Sequence, residues 1–154
     1  ALRQRVTQAF VTRGIAAERL ELRGPSFHAD LFKEYAELDI ALDPFPFTGG
    51  LTSCEALWMG VPVITWPQAR VVSRQGFALL SAIGLAELAA EDAPGYVRLA
   101  VALATDPDRL RALRGGLRER MRCAPLMDVV GFARQLEETF IAVFERVAAA
   151  EAPG

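Results

Sequence analysis

The sequence contains few of the residues that build metal centres or disulfide frameworks. Its two cysteines, Cys54 and Cys123, are isolated, and His28 is the only histidine among 154 residues. No Cys-x-x-Cys or Cys/His spacing suggests a zinc site, and two distant cysteines do not make the framework of a small secreted domain. The default environment is therefore the reducing cytoplasm.

Excess positive charge and long apolar runs are also missing. Acidic residues outnumber Lys and Arg by 19 to 17, for a net charge of −2, so neither nucleic acid nor an anionic membrane is expected as a partner. No apolar run reaches the roughly 20 residues that span a bilayer, and no signal peptide opens the chain. The chain starts without Met inside a predicted helix, which we interpret as a piece of a longer protein.

What the sequence does have is size and apolar content. Its residues are 52% hydrophobic and 23% charged, which is typical of a soluble domain with a core. Apolar strands predicted at Leu38–Leu42 and Val61–Thr65 alternate with helices. This alternation predicts an α/β fold with a parallel sheet covered by helices on both faces. Leu20 and Leu22 alternate with charged residues and predict one more short strand.

Apolar periodicity and capping residues predict the helices. Five predicted helices cover Val6 to Ile15, Asp30–Glu37, Gly76–Ile83, Tyr96–Ala104 and about Val129–Ala149. Another helix begins at Thr52 or Ser53 and ends at Met59, and one more begins at Asp106 and ends before Pro125. The sequence Asp106-Pro107-Asp108 matches a short Asp-x-Asp pattern that binds metal in some enzymes. An N-cap followed by a first-turn proline explains it better. Arginines at 111, 114, 118 and 122 predict a solvated stripe.

The most informative segment joins the first predicted strand to the next helix. It runs from Leu42 through Gly49-Gly50 to Gly60. A strand that feeds a glycine-rich turn at a helix N-terminus presents free N–H groups and the positive end of the helix dipole to one point. This pattern predicts an anion site, most naturally for phosphate, at the carboxyl end of the strand. A tight turn that needs positive φ is the structural alternative, and the sequence favours the two about equally.

Other side chains near this turn also have alternative roles. Thr52 and Glu55 have the spacing of a capping box, but a hydroxyl there can also reach phosphate and a carboxylate can reach a ribose. The sequence does not separate these roles. A lone residue such as His28 is more often a cap or surface residue than a ligand contact. Asp39 and Asp43 flank a strand end without a partner at acid–base spacing, so no catalytic residue is assigned.

The central run is similar to a known family. Asp39–Gly50, then Thr52, then Cys54–Val63 resemble the SPINDLY-type relatives of O-linked N-acetylglucosamine transferase. Further similarity lies in shorter runs along the chain, at Ser73-Arg74, Ile83–Leu88 and Ala124–Asp128. The similarity extends over nearly the whole chain, and its central run is far more specific than a lone glycine motif.

The resemblance implies the C-terminal half of a GT-B glycosyltransferase. Residues 1–150 would form a Rossmann-like lobe, truncated at its N-terminal side, that binds the nucleotide-sugar donor, and residues 151–154 would form a frayed tail. Family members are inverting enzymes that need neither metal nor cofactor. They typically transfer N-acetylglucosamine from UDP-N-acetylglucosamine to Ser or Thr hydroxyls of proteins. The implied partners are the protein acceptor, and the N-terminal lobe and tetratricopeptide repeats of the same parent chain.

Carried across by position, the resemblance assigns a donor-binding set of eight residues: His28, Gly49, Gly50, Leu51, Thr52, Ser53, Glu55 and Arg74. The glycine turn would cradle the diphosphate, Glu55 would face the ribose, and His28 would lie near the base or diphosphate. Leu51 and Ser53 replace threonines that are usual in relatives. Leu51 therefore keeps open a degenerate nucleotide-binding or scaffolding module, and other donors, such as GDP-fucose or UDP-glucose, or other acceptors, such as Asn or a glycan, also stay open.

Overall fold

The structure, a computed structural model, describes residues 1–151 and divides the chain into two compact units, of which the first ends at Leu31. The first unit holds α1 (Leu2–Val11) and a 3₁₀ turn at Ala17–Arg19. Leu20 and Leu22 lie in irregular chain, so the short strand predicted there is wrong. Two apolar residues without a paired neighbour do not make a stable strand. Helix α2 (His28–Glu34) begins in this unit and ends in the second.

The second unit begins at Phe32 and is α/β, which confirms the predicted class. Strands β1 (Ala41–Leu42) and β2 (Val63–Ile64) pair in parallel, and a parallel bridge joins Thr65 to Ala89. Both strands are shorter than predicted. One reason is that the guanidinium of Arg114, and no neighbouring strand, takes the carbonyl groups just before β1.

Most of the second unit is helical. Its helices are α3 (Leu51–Trp58), α4 (Gln75–Ala82), α5 (Ala93–Ala104), α6 (Pro107–Arg122) and α7 (Val129–Glu151), with 3₁₀ turns at Tyr35–Glu37, Val71–Ser73, Ala86–Leu88 and Pro125–Met127. Asp106 caps α6 by accepting a hydrogen bond from the Arg109 N–H at 3.0 Å, which confirms the predicted helix start. The tail predicted at 151–154 lies outside the described residues apart from Glu151, the last residue of α7.

The core of this unit packs the sheet against the surrounding helices. Residues with less than 2% of their surface exposed include Leu57, Val61, Ile64, Leu80, Leu85, Leu88, Leu103 and Leu117. Complete burial of one such side chain contributes about 1.5–3 kcal/mol. Helix α7 is less buried: its Phe132, Phe140 and Phe144 are each exposed by 65% or more.

Two arginines of α6 hold α3 and the start of β1. The Nε–H of Arg118 donates to the Trp58 carbonyl at 2.9 Å, and its guanidinium lies 5.4 Å from the centre of the Trp58 ring. Arg114 donates to the carbonyls of Leu38 and Asp39, the latter at 3.1 Å. The prediction of a solvated stripe is therefore wrong for Arg114, whose side chain is 26% exposed, whereas Arg118 is exposed as predicted and still bonds to the end of α3. The carbonyls at the end of a helix need donors, and basic side chains supply them.

The loop after β1 is held by aromatic side chains. The ring of Phe45 makes edge contacts with Trp66 and Tyr96, at centroid distances of 4.6 and 5.9 Å. The Tyr96 hydroxyl donates to the backbone carbonyl of Asp43 at 2.9 Å. Burial, and then the negative charge of Asp43, raise the pKa of Tyr96 from 10.0 to about 12. This contact ties the start of α5 to the loop that leads into α3.

The raised pKa of Tyr96 predicts a loss of stability in alkali. Between pH 10 and 12 the folded chain keeps a proton that the unfolded chain releases, so the free energy of unfolding falls as pH rises through this window. Tyr96→Phe should flatten that fall, as measured by urea unfolding at several pH values. At neutral pH the variant should be less stable by about 1 kcal/mol because it lacks one hydrogen bond. Equal pH slopes for the two proteins would contradict this assignment.

Gly60 provides a second prediction, because it follows α3 with a φ of 82° and a Cβ there would lie 3.0 Å from the Arg114 carbonyl oxygen. Gly60→Ala should lower the free energy of unfolding by about 1–2 kcal/mol, since L-residues avoid this backbone region. The matched control is Gly115→Ala inside α6, where a Cβ meets nothing within 4 Å. That change should stabilise the helix by roughly 0.5–1 kcal/mol. Urea unfolding measures both, and shifts of the same sign would refute the prediction.

Candidate functional site

The predicted anion site lies where α3 begins. Gly50 is the N-cap, and the first hydrogen bond within the helix runs from the Cys54 N–H to the Gly50 carbonyl at 3.1 Å. The N–H groups of Leu51, Thr52 and Ser53 consequently have no partner inside the helix. The positive end of the helix dipole lies at the same point. The helix starts one residue earlier than predicted, so Leu51 contributes its N–H to this first turn.

The capping-box alternative is wrong for this helix. The N-cap position is occupied by Gly50, which has no side chain, and no side chain caps the helix. Thr52 is therefore the second residue of α3 and its side chain is exposed, whereas Ser53 is 6% exposed. The side chain of Leu51 is 72% exposed.

Space, and not positive φ, restricts the two glycine positions, Gly49 more than Gly50, whose only near neighbour is the movable end of the Gln75 side chain. Neither Gly49 nor Gly50 has a positive φ, so a tight turn that needs positive φ is not the reason for these two glycines. A Cβ on Gly49 would overlap the Ser53 hydroxyl and lie 3.0 Å from the Thr52 hydroxyl oxygen. A Cβ on Gly50 would lie 2.7 Å from the side-chain oxygen of Gln75. The turn thus brings the backbone close to the first turns of α3 and α4.

Glu55 lies inside the lobe, one turn into α3. It is 7% exposed, like Tyr35, whose hydroxyl donates to the Thr52 carbonyl at 3.1 Å. Burial raises the pKa of Tyr35, and the charge of Glu55 and a hydrogen bond with it raise that pKa further. Burial and then Glu55 also raise the pKa of the Cys54 thiol. Contact of Glu55 with a ribose stays a prediction, and any such contact requires access to this buried carboxylate.

The start of α4 lies against the same turn. The N–H and hydroxyl of Thr48 both donate to the Val72 carbonyl, at 3.1 and 3.0 Å, and Gln75 lies beside Gly50. Arg74, the N-cap of α4, is exposed. Its guanidinium donates to the Gln68 carbonyl at 3.3 Å and lies 5.2 Å from the centre of the Phe77 ring. Arg74 is therefore at the same edge of the lobe as the glycine turn.

Asp43 is the site residue that sequence reasoning missed. It is 3% exposed, its Oδ1 accepts the Gly49 N–H at 2.6 Å, and its Oδ2 accepts the Thr65 hydroxyl at 2.7 Å. A Cβ on Gly76 would overlap Oδ2, so α4 also starts against this carboxylate. The only signal in the sequence was a carboxylate at the mouth of a predicted strand.

A cavity of about 170 Å³ opens beside the turn. Its walls include Tyr35, Leu42, Asp43, Gly49 and Thr52. Whole ligand pockets usually measure roughly 300–1,000 Å³. This cavity is therefore smaller than a whole ligand pocket usually is.

The remaining site predictions are placed as follows. His28 is the first residue of α2 and belongs to the first unit, and its contact with a base or diphosphate stays a prediction. Within residues 1–151, no three His, Cys, Asp or Glu side chains gather as ligands for a metal ion. Over the same residues, no helix combines the length and apolar character that crossing a bilayer requires.

Comparison with known proteins shows which family the chain resembles. The chain is 42% identical over 124 residues, 80% of its length, to a protein of Eustoma exaltatum subsp. russellianum named as a probable UDP-N-acetylglucosamine–peptide N-acetylglucosaminyltransferase SPINDLY. It is 35% identical, over 99% of its length, to the protein of the same name in Petunia hybrida. It spans 14% and 16% of the length of these two relatives.

A solved structure gives the same result at the level of the fold. An O-GlcNAc transferase mutant from Thermobaculum terrenum superposes with a TM-score of 0.90 at 37% identity, over 97% of this chain and 29% of that one. The family model described as glycosyl transferase family 41 matches residues 3–136. The chain therefore belongs to glycosyl transferase family 41 and is a fragment of a protein of that family.

Proposed function

We propose that this chain is the donor-binding lobe of a protein O-glycosyltransferase, with its diphosphate site at the start of α3. The observation that carries the proposal is the set of free N–H groups of Leu51, Thr52 and Ser53, which follows the glycine turn at the end of β1. A helix N-terminus of this kind binds phosphate through backbone N–H groups and the helix dipole. The side chain of Leu51 is exposed, but it lacks the hydroxyl of the threonine that is usual in relatives, so a degenerate module stays the alternative.

The names of the relatives support the choice of substrates. Both plant proteins are named for UDP-N-acetylglucosamine as donor and a peptide as acceptor. We therefore propose UDP-N-acetylglucosamine as the donor and Ser or Thr hydroxyls of proteins as acceptors. In the proposed enzyme, the N-terminal lobe of the parent chain completes the cleft, tetratricopeptide repeats present the acceptor, and the protein acts in the cytoplasm. The lobe alone is expected to be inactive, because the proposed cleft also needs the N-terminal lobe.

The proposed reaction is an inverting transfer without a metal. The acceptor oxygen bonds to the anomeric carbon as the bond from that carbon to the diphosphate oxygen breaks, and the acceptor proton leaves to a base outside this chain. Negative charge grows on the departing diphosphate. In this proposal the N–H groups at the start of α3 stabilise that charge. In enzymes, the loss of one such donor costs about 2.7–4 kcal/mol of transition-state stabilisation.

Thr52→Ala tests the side-chain contact to phosphate. A hydrogen bond to a charged group contributes about 1.5–3 kcal/mol, and 1.4 kcal/mol corresponds to a tenfold change in Kd. The variant of the parent protein should therefore bind UDP roughly tenfold more weakly in calorimetry. Thr105→Ala is the matched control, because its hydroxyl bonds only to carbonyls of its own helix. Undiminished affinity in Thr52→Ala would exclude the Thr52 hydroxyl from the site.

Chelation tests the metal-independent mechanism. Transfer of radiolabelled N-acetylglucosamine by the parent protein should continue unchanged in excess EDTA, since N–H dipoles and not a cation balance the diphosphate. GDP-fucose and UDP-glucose serve as parallel donors and should give less product. An activity that EDTA abolishes and Mg²⁺ or Mn²⁺ restores would contradict this mechanism. Absence of transfer from every donor would instead favour a scaffolding module.

A further inference from the structure

We infer that Asp43 is a positioning residue of the diphosphate site, which acts by holding the Gly49-Gly50 turn and never touches the ligand itself. The inference rests on the proposed function, because it concerns the same turn. It assigns a role to a buried carboxylate that the proposed chemistry does not use. Its basis is the set of contacts that surrounds this one side chain.

Every polar group of Asp43 is occupied. Besides the bonds of its two carboxylate oxygens to Gly49 and Thr65, its N–H donates to the Ile64 carbonyl at 2.9 Å. Its own carbonyl accepts the Tyr96 hydroxyl at 2.9 Å. A side chain with both oxygens bonded and 3% exposure has one orientation available. The carboxylate therefore acts as a rigid link between the carboxyl end of the sheet and the turn.

This link determines which N–H groups of the turn face outward. The Gly49 N–H points inward at Asp43, so it is not available to a ligand. The next helical N–H groups, from Leu51 to Ser53, lack a partner inside α3. Without the carboxylate, the half-buried Gly49 N–H would lose its acceptor, and the turn would rearrange to satisfy it. Rearrangement there moves the first turn of α3, where the phosphate contacts are proposed.

The charge of Asp43 and its positioning role predict opposite changes in phosphate affinity when the carboxylate is removed. A buried carboxylate near an anion site repels phosphate, so removal of its charge alone would tighten binding. Loss of the link would weaken binding. The starts of α3 and α4 both lie beside this carboxylate, and their positive dipole ends offset its charge. The direction of the change in affinity therefore separates the two roles.

The test measures UDP affinity by calorimetry on the full-length parent protein. Asp43→Ala should raise the Kd roughly tenfold or more, from loss of a charge-assisted hydrogen bond that holds the site. Asp43→Asn removes the same charge but keeps an oxygen for the Gly49 N–H, so it should restore most of the affinity. Asp106→Ala is the matched control, because Asp106 also accepts a backbone N–H at a helix start. An irreversibly unfolded fraction would lower the number of binding sites and leave the Kd unchanged, and circular dichroism of each variant excludes a reversible unfolding equilibrium, which would raise the apparent Kd.

Thr65→Val provides a second variant if Asp43→Ala does not fold. Thr65 is fully buried and donates to Oδ2, so valine keeps the shape and the charge but frees the carboxylate to rotate. Its UDP Kd should rise roughly threefold, as expected for one weakened hydrogen bond. An unchanged or lower Kd in whichever of these two variants folds would overturn the inference.

Hydrogen exchange without nucleotide separates this inference from the proposed function. Residues 44–58 should exchange faster in Asp43→Ala than in the wild type, while α6 should exchange at the same rate in both. A wild-type protein that binds no UDP would refute the proposed function, and the exchange result would still decide whether Asp43 holds the turn. Equal exchange over residues 44–58 would refute the role of Asp43 alone.

Discussion

The hydrogen bond between the Gly49 N–H and the buried Asp43 carboxylate determines how β1 passes into α3. The same carboxylate accepts the Thr65 hydroxyl at the end of β2, so one side chain joins both strands of the sheet to the glycine turn. Gly76 lies against it because only a residue without Cβ fits there. The starts of two helices and the ends of two strands therefore meet around one acidic group, and the phosphate site proposed here depends on that meeting.

Helix α3 is held differently at its two ends. At its start the N–H groups are open, while at its other end Arg118 donates to the Trp58 carbonyl. Its buried side, with Ala56 and Leu57 at 2% exposure or less, packs into the core. The open end thus belongs to a helix that has little freedom to move. A charge-stabilising site needs this property, because donors that are already fixed do not have to reorganise as charge develops.

Local patterns in the sequence predicted the α/β class, most of the helices, the cap at Asp106 and the helix start after Gly49-Gly50. Each of these depends on residues within a few positions of one another. The contacts that were missed join distant parts of the chain: Asp43 with Thr65, Tyr35 with Thr52, and Arg114 with the segment before β1. The first strand was overestimated because Leu38 is 43% exposed and its carbonyl bonds to Arg114. The second was overestimated because Val61 is buried while its N–H bonds to the Ala56 carbonyl and to no strand. Periodicity reports burial, but it does not report which group satisfies a backbone carbonyl.

The proposed diphosphate site consists of main-chain atoms, and this has a consequence for the evolution of these proteins. Leu51 and Ser53 depart from the threonines expected at their positions, yet the backbone around them keeps the form of a helix start with open donors. Substitution at such positions changes the side chains around the helix start and leaves the main-chain N–H donors in place. Divergent homologues would then keep their ligand contacts after the signature side chains have drifted, and glycine spacing would identify them better than residue type.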